Sequence, residues 1–278
     1  MINIGQTNSV EIVKVTRNGW VLDGKELGEI PLPLDQTVGN LKVGDVVNVF
    51  VYIDGNNNIT ATMKPAKAQV GEFAFLQAVS VTNEGAFLDW GLDKDLFVPI
   101  KEQADEMRVG DFYVVRVYKE PYKNRIAASS KLNKFLDLDC EEFTNNDSVK
   151  LLIYEKTELG YKAIVNNSHS GLLYSNEVYT ALHIGDSKSG FVKKVRDDGK
   201  LDLSLQKTGF EKPDELGSKI IQLLEDKGGF ISISDKSPPE LINKVFGVSK
   251  KRYKVAIGAL FRKRIITITD AGIQLNRK

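Results

Sequence analysis

The chain has 278 residues, 42% of them apolar and 27% charged, and a net charge of +1. Its length predicts two to four compact units, and its composition excludes a disordered chain, a collagen-like repeat and a disulfide scaffold. No window reaches the ~18–20 uncharged apolar residues of a membrane span, the N-terminus lacks the basic and apolar regions of a secretory signal, and Cys140 is the only cysteine. The expected setting is therefore reducing, cytoplasmic and free of membrane.

A spacing repeats three times. An apolar residue precedes Gly-Asp in Val43-Gly44-Asp45, Val109-Gly110-Asp111 and Ile184-Gly185-Asp186, and 25 residues before each of these glycines stands another, Gly19, Gly85 or Gly160. A strand-like ending follows each Gly-Asp: Ile59 to Lys64, Ile126 to Lys131, and Leu201 to Gln206. A fixed period shared by three landmarks marks an internal repeat.

In chain order, the first copy offers Val10, Ile12, Val13 and Val15 before Gly19, Trp20-Val21-Leu22 after it, and Val46, Val47, Val49 and Val51 after Asp45. The second offers Phe87-Leu88-Asp89-Trp90, Leu96-Phe97-Val98 and Tyr113 to Val117. Asn56-Asn57-Asn58 and Tyr122-Lys123-Asn124 fall where a hairpin turn precedes the last strand. β-branched runs broken by Gly, Asn and Pro are strand-and-turn chemistry. Five strands in about 65 residues predict a closed barrel, because an open sheet that small leaves its edges unpaired. A five-stranded Greek-key barrel is the OB fold. Trp20 and Trp90 read as packing residues.

The C-terminal stretch changes period. Ser237-Pro238-Pro239-Glu240 predicts a capped helix start, with Ser237 as N-cap, and the helix ends at Gly247. Ser249 then caps a second helix with Tyr253, Ala256, Ile257, Leu260 and Phe261 as one buried stripe. An earlier helix from Glu215 to Lys227 and a hairpin from Ile265 to Leu275 complete a winged helix-turn-helix. The predicted fold class is mainly β with a C-terminal α+β module. Its expected units are barrels at 1–66, 67–144 and 145–212 and a winged helix at 213–278. Their net charges are −2, −4, +1 and +6, so a polyanion is drawn to the C-terminal half.

The string Gly85-Ala86-Phe87-Leu88-Asp89, Asp95-Leu96-Phe97-Val98-Pro99, Val109-Gly110-Asp111 and Arg125 to Lys131 resembles the S-one RNA-binding domain. Three such copies before a winged helix resemble the bacterial conserved virulence factor B family. The resemblance implies an RNA-binding protein in post-transcriptional regulation or RNA turnover, tied by name to virulence. It places RNA over strand aromatics and cations, which fall on Phe87 and Arg125, with Lys123 beside them. In the third copy the matching positions are Lys162 and Lys200, flanked by Tyr161, Lys193, Lys194 and Arg196. In the first they are Val21 and Asn58, with Trp20, Tyr52 and Asp54 nearby. The family's usual histidine and a second usual aromatic are Pro99 and Glu84 here.

Lys250, Lys251, Arg252, Lys254, Arg262 and Lys263 crowd the outer surface of the last predicted helix. They point to nucleic acid, either RNA beside the third barrel or a duplex major groove. No P-loop, metal-ligand spacing or convergent catalytic set is present, so no enzyme, cofactor or metal is expected. Cys140 reads as a small packed residue, His169 as a polar loop residue, and Asp93, Asp95, Asp137 and Asp139 as solvated acids. The expected partner is single-stranded RNA, with duplex DNA the alternative. Oligomeric state is not fixed by sequence, a monomer being preferred.

Overall fold

How the first strand of each barrel bends explains the 25-residue interval. In the computed structural model, which describes residues 1–121, 125–178, 181–196, 198–205 and 215–276, these strands are β1 (Gln6–Thr16), β6 (Phe73–Thr82) and β11 (Ser148–Lys156). Each pairs with two neighbours and slips register midway, at Ile12/Lys14, Ala78/Ser80 and Ile153/Glu155. Such a bulge bends a strand enough to serve both sides of a barrel. Just there the glycine of Gly-Asp closes the structure. Gly44, Gly110 and Gly185 donate to the carbonyls of Ile12, Ala78 and Ile153, each at 2.8 Å. The amides of Ile12, Ala78 and Ile153 donate back to Asp45, Asp111 and Asp186 at 2.9 Å.

The earlier glycines answer a steric demand. A Cβ on Gly19, Gly85 or Gly160 would lie 2.3, 2.2 or 2.0 Å from the carbonyl oxygen of Leu32, Val98 or Leu173. Only glycine lets the second and third strands approach so closely. The repeat is thus a set of joints rather than a set of side-chain functions.

The first barrel continues with β2 (Gly19–Asp23), β3 (Glu29–Pro33), β4 (Val46–Ile53) and β5 (Ile59–Thr62), in the order β3-β2-β1-β4-β5. Its edges meet where the Thr60 hydroxyl donates to Pro31 O at 3.2 Å. The predicted Asn56–Asn58 turn is present, with Asn57 at φ 71° and Asp54 Oδ1 accepting from the amides of Asn56 and Asn58. The second barrel has β7 (Gly85–Leu88), β8 (Leu96–Pro99), β9 (Phe112–Lys119) and β10 (Ile126–Ser129) in the same order. The predicted turn at 122–124 lies outside the described residues. The third has β12 (Gly160–Val165), β13 (His169–Tyr174), β14 (Ser187–Val195) and β15 (Leu201–Ser204), and closes fully through a parallel β13–β15 pair.

By internal contacts the chain divides into Met1–Leu205 and Gln206–Lys278. Within the first unit the barrels interlock. Trp90 donates to Ala68 O at 2.7 Å and meets Phe50 of the first barrel edge-on, so it packs as expected. Trp20 is half-buried against the first core. Lys94 donates to the Ile53 and Asp54 carbonyls, and burial lowers its ammonium pKa, with Asp54 opposing. Between the second and third barrels, Asn167 accepts from Phe73 N and donates to Gly71 O, both at 2.8 Å.

His169 corrects the expectation of a polar loop residue. It opens β13, is only 4% exposed, and its Nε2 donates to Asp139 O at 2.6 Å while Nδ1 meets the Ser168 hydroxyl at 2.8 Å. A buried imidazole needs both nitrogens satisfied, and the connecting segment supplies one partner. Cys140, on that segment, is buried as expected, its Sγ 3.1 Å from Gly199 O.

The second unit holds α1 (Glu215–Asp226), β16 (Phe230–Ile231), α2 (Pro239–Phe246), α3 (Lys250–Arg262), β17 (Ile266–Thr269) and β18 (Gly272–Leu275). Leu216, Ile220, Ile242, Phe246, Tyr253 and Ile257 lie in its core. Ser249 caps α3 as predicted, accepting from Arg252 N. Two details differ. Pro238, not Ser237, is the cap position of α2 and has no polar side-chain atom to cap with, while the Ser237 hydroxyl accepts from Ser234 N. Phe261 is 52% exposed rather than core, since the buried stripe centres on Tyr253, Ala256, Ile257 and Leu260.

Candidate nucleic-acid interface

On the second barrel, β7 and β8 pair with Gly85 opposite Pro99 and therefore Phe87 opposite Phe97. Alternation sends Ala86, Leu88 and Val98 into the core and leaves both phenylalanines half-buried on the outer face. Their ring centroids lie 5.1 Å apart at 45°. The Arg125 guanidinium sits 4.8 Å from the Phe97 centroid, and its Nε donates to Glu120 at 2.9 Å. Phe87 and Arg125 are thus joined through Phe97, which sequence reasoning did not single out. Its signal was available, because the glycine that opens β7 fixes the hairpin register. Lys123 lies outside the described residues.

The third barrel gathers cations in place of aromatics. Lys162, Arg196 and Lys200 line one cleft of about 640 Å³, walled by Tyr154, Leu172 and the connecting residues Leu136 and Leu138. Lys162 donates to Glu155 at 2.9 Å, and that bond holds its ammonium above the ordinary range. Arg196 and Lys200 share Asp198 at 3.1 and 3.3 Å. Lys193 pairs with Glu177, apart from the cleft lining, and Lys194 is exposed. Tyr161 packs against the third core, with Lys156 Nζ 5.9 Å from its ring. These carboxylate pairs are at the surface, where an ion pair contributes ~0–1 kcal/mol and a phosphate can replace it. On the first barrel, Val21 is buried opposite Pro31 and offers no stacking face, while its neighbour Trp20 is half-buried.

In the winged helix, α3 carries Lys250, Lys251 and Arg252 in its first turn with no acid among them. The helix dipole disfavours cations there by roughly 0.3–1 kcal/mol each, so helix stability does not explain them. Lys251, Arg252, Lys254, Val255 and Arg262 are exposed, Lys250 and Lys263 half-buried. Lys254 approaches Asp235 at 3.6 Å. Among the described residues no group of three or more His, Cys, Asp or Glu could share a metal ion, and no described helix is long and apolar enough to cross a membrane.

Barrels of the S1 type followed by a winged helix define the class of protein. An S1 domain model matches residues 4–64, and a CvfB-like winged helix domain model matches residues 218–275. Along its whole length the chain resembles conserved virulence factor B. The Staphylococcus aureus protein of that name is 25% identical over 286 aligned positions, covering 99% of this chain and 95% of the relative. The Staphylococcus saprophyticus protein is 23% identical over 288 positions with the same coverage. A solved structure of a multidomain protein with nucleic acid binding domains from Streptococcus pneumoniae is 24% identical, covers 98% of each chain and has a TM-score of 0.44.

Proposed function

We propose that the protein is a cytoplasmic, non-enzymatic binder of single-stranded RNA with weak sequence preference, acting in post-transcriptional regulation or RNA turnover. The observation that carries this reading is the Phe87–Phe97 pair under Arg125. Every base has a π-face, and stacking on an aromatic is worth ~1–3 kcal/mol per base without reading its edge. Lys162, Arg196 and Lys200 offer phosphates a second site and the cations of α3 a third, with those two dominating affinity. Tethered weak sites raise avidity through effective concentration. The four units are taken as 1–66, 67–144, 145–212 and 213–278.

A titration of the full chain with labelled oligouridine across a salt series tests this. Binding that weakens log-linearly with salt, as phosphate neutralisation requires, is expected; no binding in dilute buffer overturns it. A second reading is favoured by the cation-crowded first turn of α3. Here α3 enters the major groove of duplex DNA and the barrels serve as an interaction arm. Competition between oligouridine and a DNA duplex at matched salt separates the two.

A further inference from the structure

Three clefts of the barrel unit share lining residues. The cationic cleft of the third barrel meets the cleft between the second and third barrels at Asn133 and Tyr154. That cleft in turn meets one on the second barrel at Lys134. The last is lined by Lys101, Tyr118, Lys119, Glu120 and Phe135, and Glu120 holds the Arg125 that covers Phe97. The three clefts thus adjoin one another through shared walls, and the last borders Glu120, the partner of the Arg125 that lies against Phe97.

The last of these clefts carries aromatics and cations of its own. Alternation along β9 turns Val115 and Val117 into the core and Arg116 and Tyr118 outward. The Tyr118 and Phe135 rings lie 5.7 Å apart at 38°, with Lys134 Nζ 4.9 Å from the Phe135 centroid and 5.7 Å from that of Tyr118. Burial, then Glu102 and Glu120, push the Tyr118 hydroxyl up to about 12, so the ring is neutral. Glu102 is taken by Lys134 and Glu120 by Arg125, while Lys101 and Lys119 are exposed and hold no ion pair with a described residue. Two aromatics and uncommitted lysines suit bases and phosphates better than a peptide or lipid surface, because flat rings and positive charges line one cleft.

We infer that Tyr118, Phe135 and Lys134, with Lys101 and Lys119, form a stacking station that leads one RNA strand from the third barrel to the Phe87–Phe97 face. This rests on the single-stranded RNA reading and extends it. The strand crosses β9 and the connecting turn Leu132–Phe135, so the segment between the barrels is a binding element as well as a tether.

The test uses the full chain and fluorescein-labelled 16-residue oligouridine, with anisotropy read across a salt series. Lys101→Ala with Lys119→Ala, both exposed, should reduce the slope of log K against log salt by about 1.4, since each lost phosphate contact removes about 0.7. Tyr118→Ala with Phe135→Ala should weaken binding about tenfold or more at fixed salt, the loss of stacked bases. Lys42→Ala, exposed on the first barrel, is the control for loss of charge alone. Because Phe135 is half-buried, the lysine pair decides if the aromatic double variant fails to fold. A slope equal to that of Lys42→Ala, with the wild type binding normally, overturns the station and leaves the RNA reading standing. A wild type that ignores oligouridine overturns both.

Discussion

Phe97 stands opposite Phe87 across the β7–β8 pair, so each ring forms half of one surface whose rim is Arg125. Phe97→Ala should therefore weaken oligouridine binding as much as Phe87→Ala does, by about 1–3 kcal/mol. Phe87→Ala combined with Arg125→Ala should weaken it further. Unchanged affinity in a folded double variant, measured by anisotropy with circular dichroism as the folding check, would assign the second barrel to scaffolding.

Gly160→Ala places a Cβ 2.0 Å from Leu173 O, and backbone cannot yield as a flexible side chain can. The variant should lose more than about 1 kcal/mol of stability, read by urea unfolding. Gly44→Ala meets no atom within 4 Å, yet its φ of 94° disfavours a Cβ. A milder loss at Gly44 than at Gly160 is expected, and the reverse order would contradict the steric account.

His169→Ala removes the donor to Asp139 O. Loss of an intramolecular hydrogen bond costs about 0.5–1.5 kcal/mol, and here the loss should be local. Hydrogen exchange should rise at residues 137–140 before it rises in the third core. Uniform acceleration across the barrel would argue against His169 as a local tie to the connecting segment.

Burial, then Asp139 and Asp137, raise the Cys140 thiol above its ordinary value. A raised pKa means less thiolate at any given pH, and the thiolate is the reactive form. Native protein at pH 8 should react with iodoacetamide far more slowly than urea-unfolded protein. Equal rates would contradict the packed environment.

The barrels were legible because their joints are glycines at fixed intervals, and backbone joints survive when side chains change. The helix-turn-helix was legible because Gly247 and Ser249 have one conformational task each, a left-handed turn and a cap. What escaped depends on pairing across distance. Phe97 becomes a site residue only when register sets it opposite Phe87. His169 looks like a loop residue until the connecting segment is seen to supply its partner. Ser237 has capping chemistry, but a nearer amide, Ser234 N, takes its hydroxyl. Phe261 continues the apolar spacing of α3, yet the helix has already turned it away from the core.

Charge was read as a sum per segment, whereas the folded chain pairs much of it. Lys162, Lys193, Arg196 and Lys200 all have carboxylate partners, which composition alone does not reveal.

Competition decides most directly between the readings. Labelled oligouridine bound to the full chain is titrated with unlabelled oligouridine and, separately, with an unlabelled DNA duplex of equal length at matched salt. The single strand should displace the label at lower concentration, with both affinities falling as salt rises. Displacement by the duplex at lower concentration than the single strand would contradict the account.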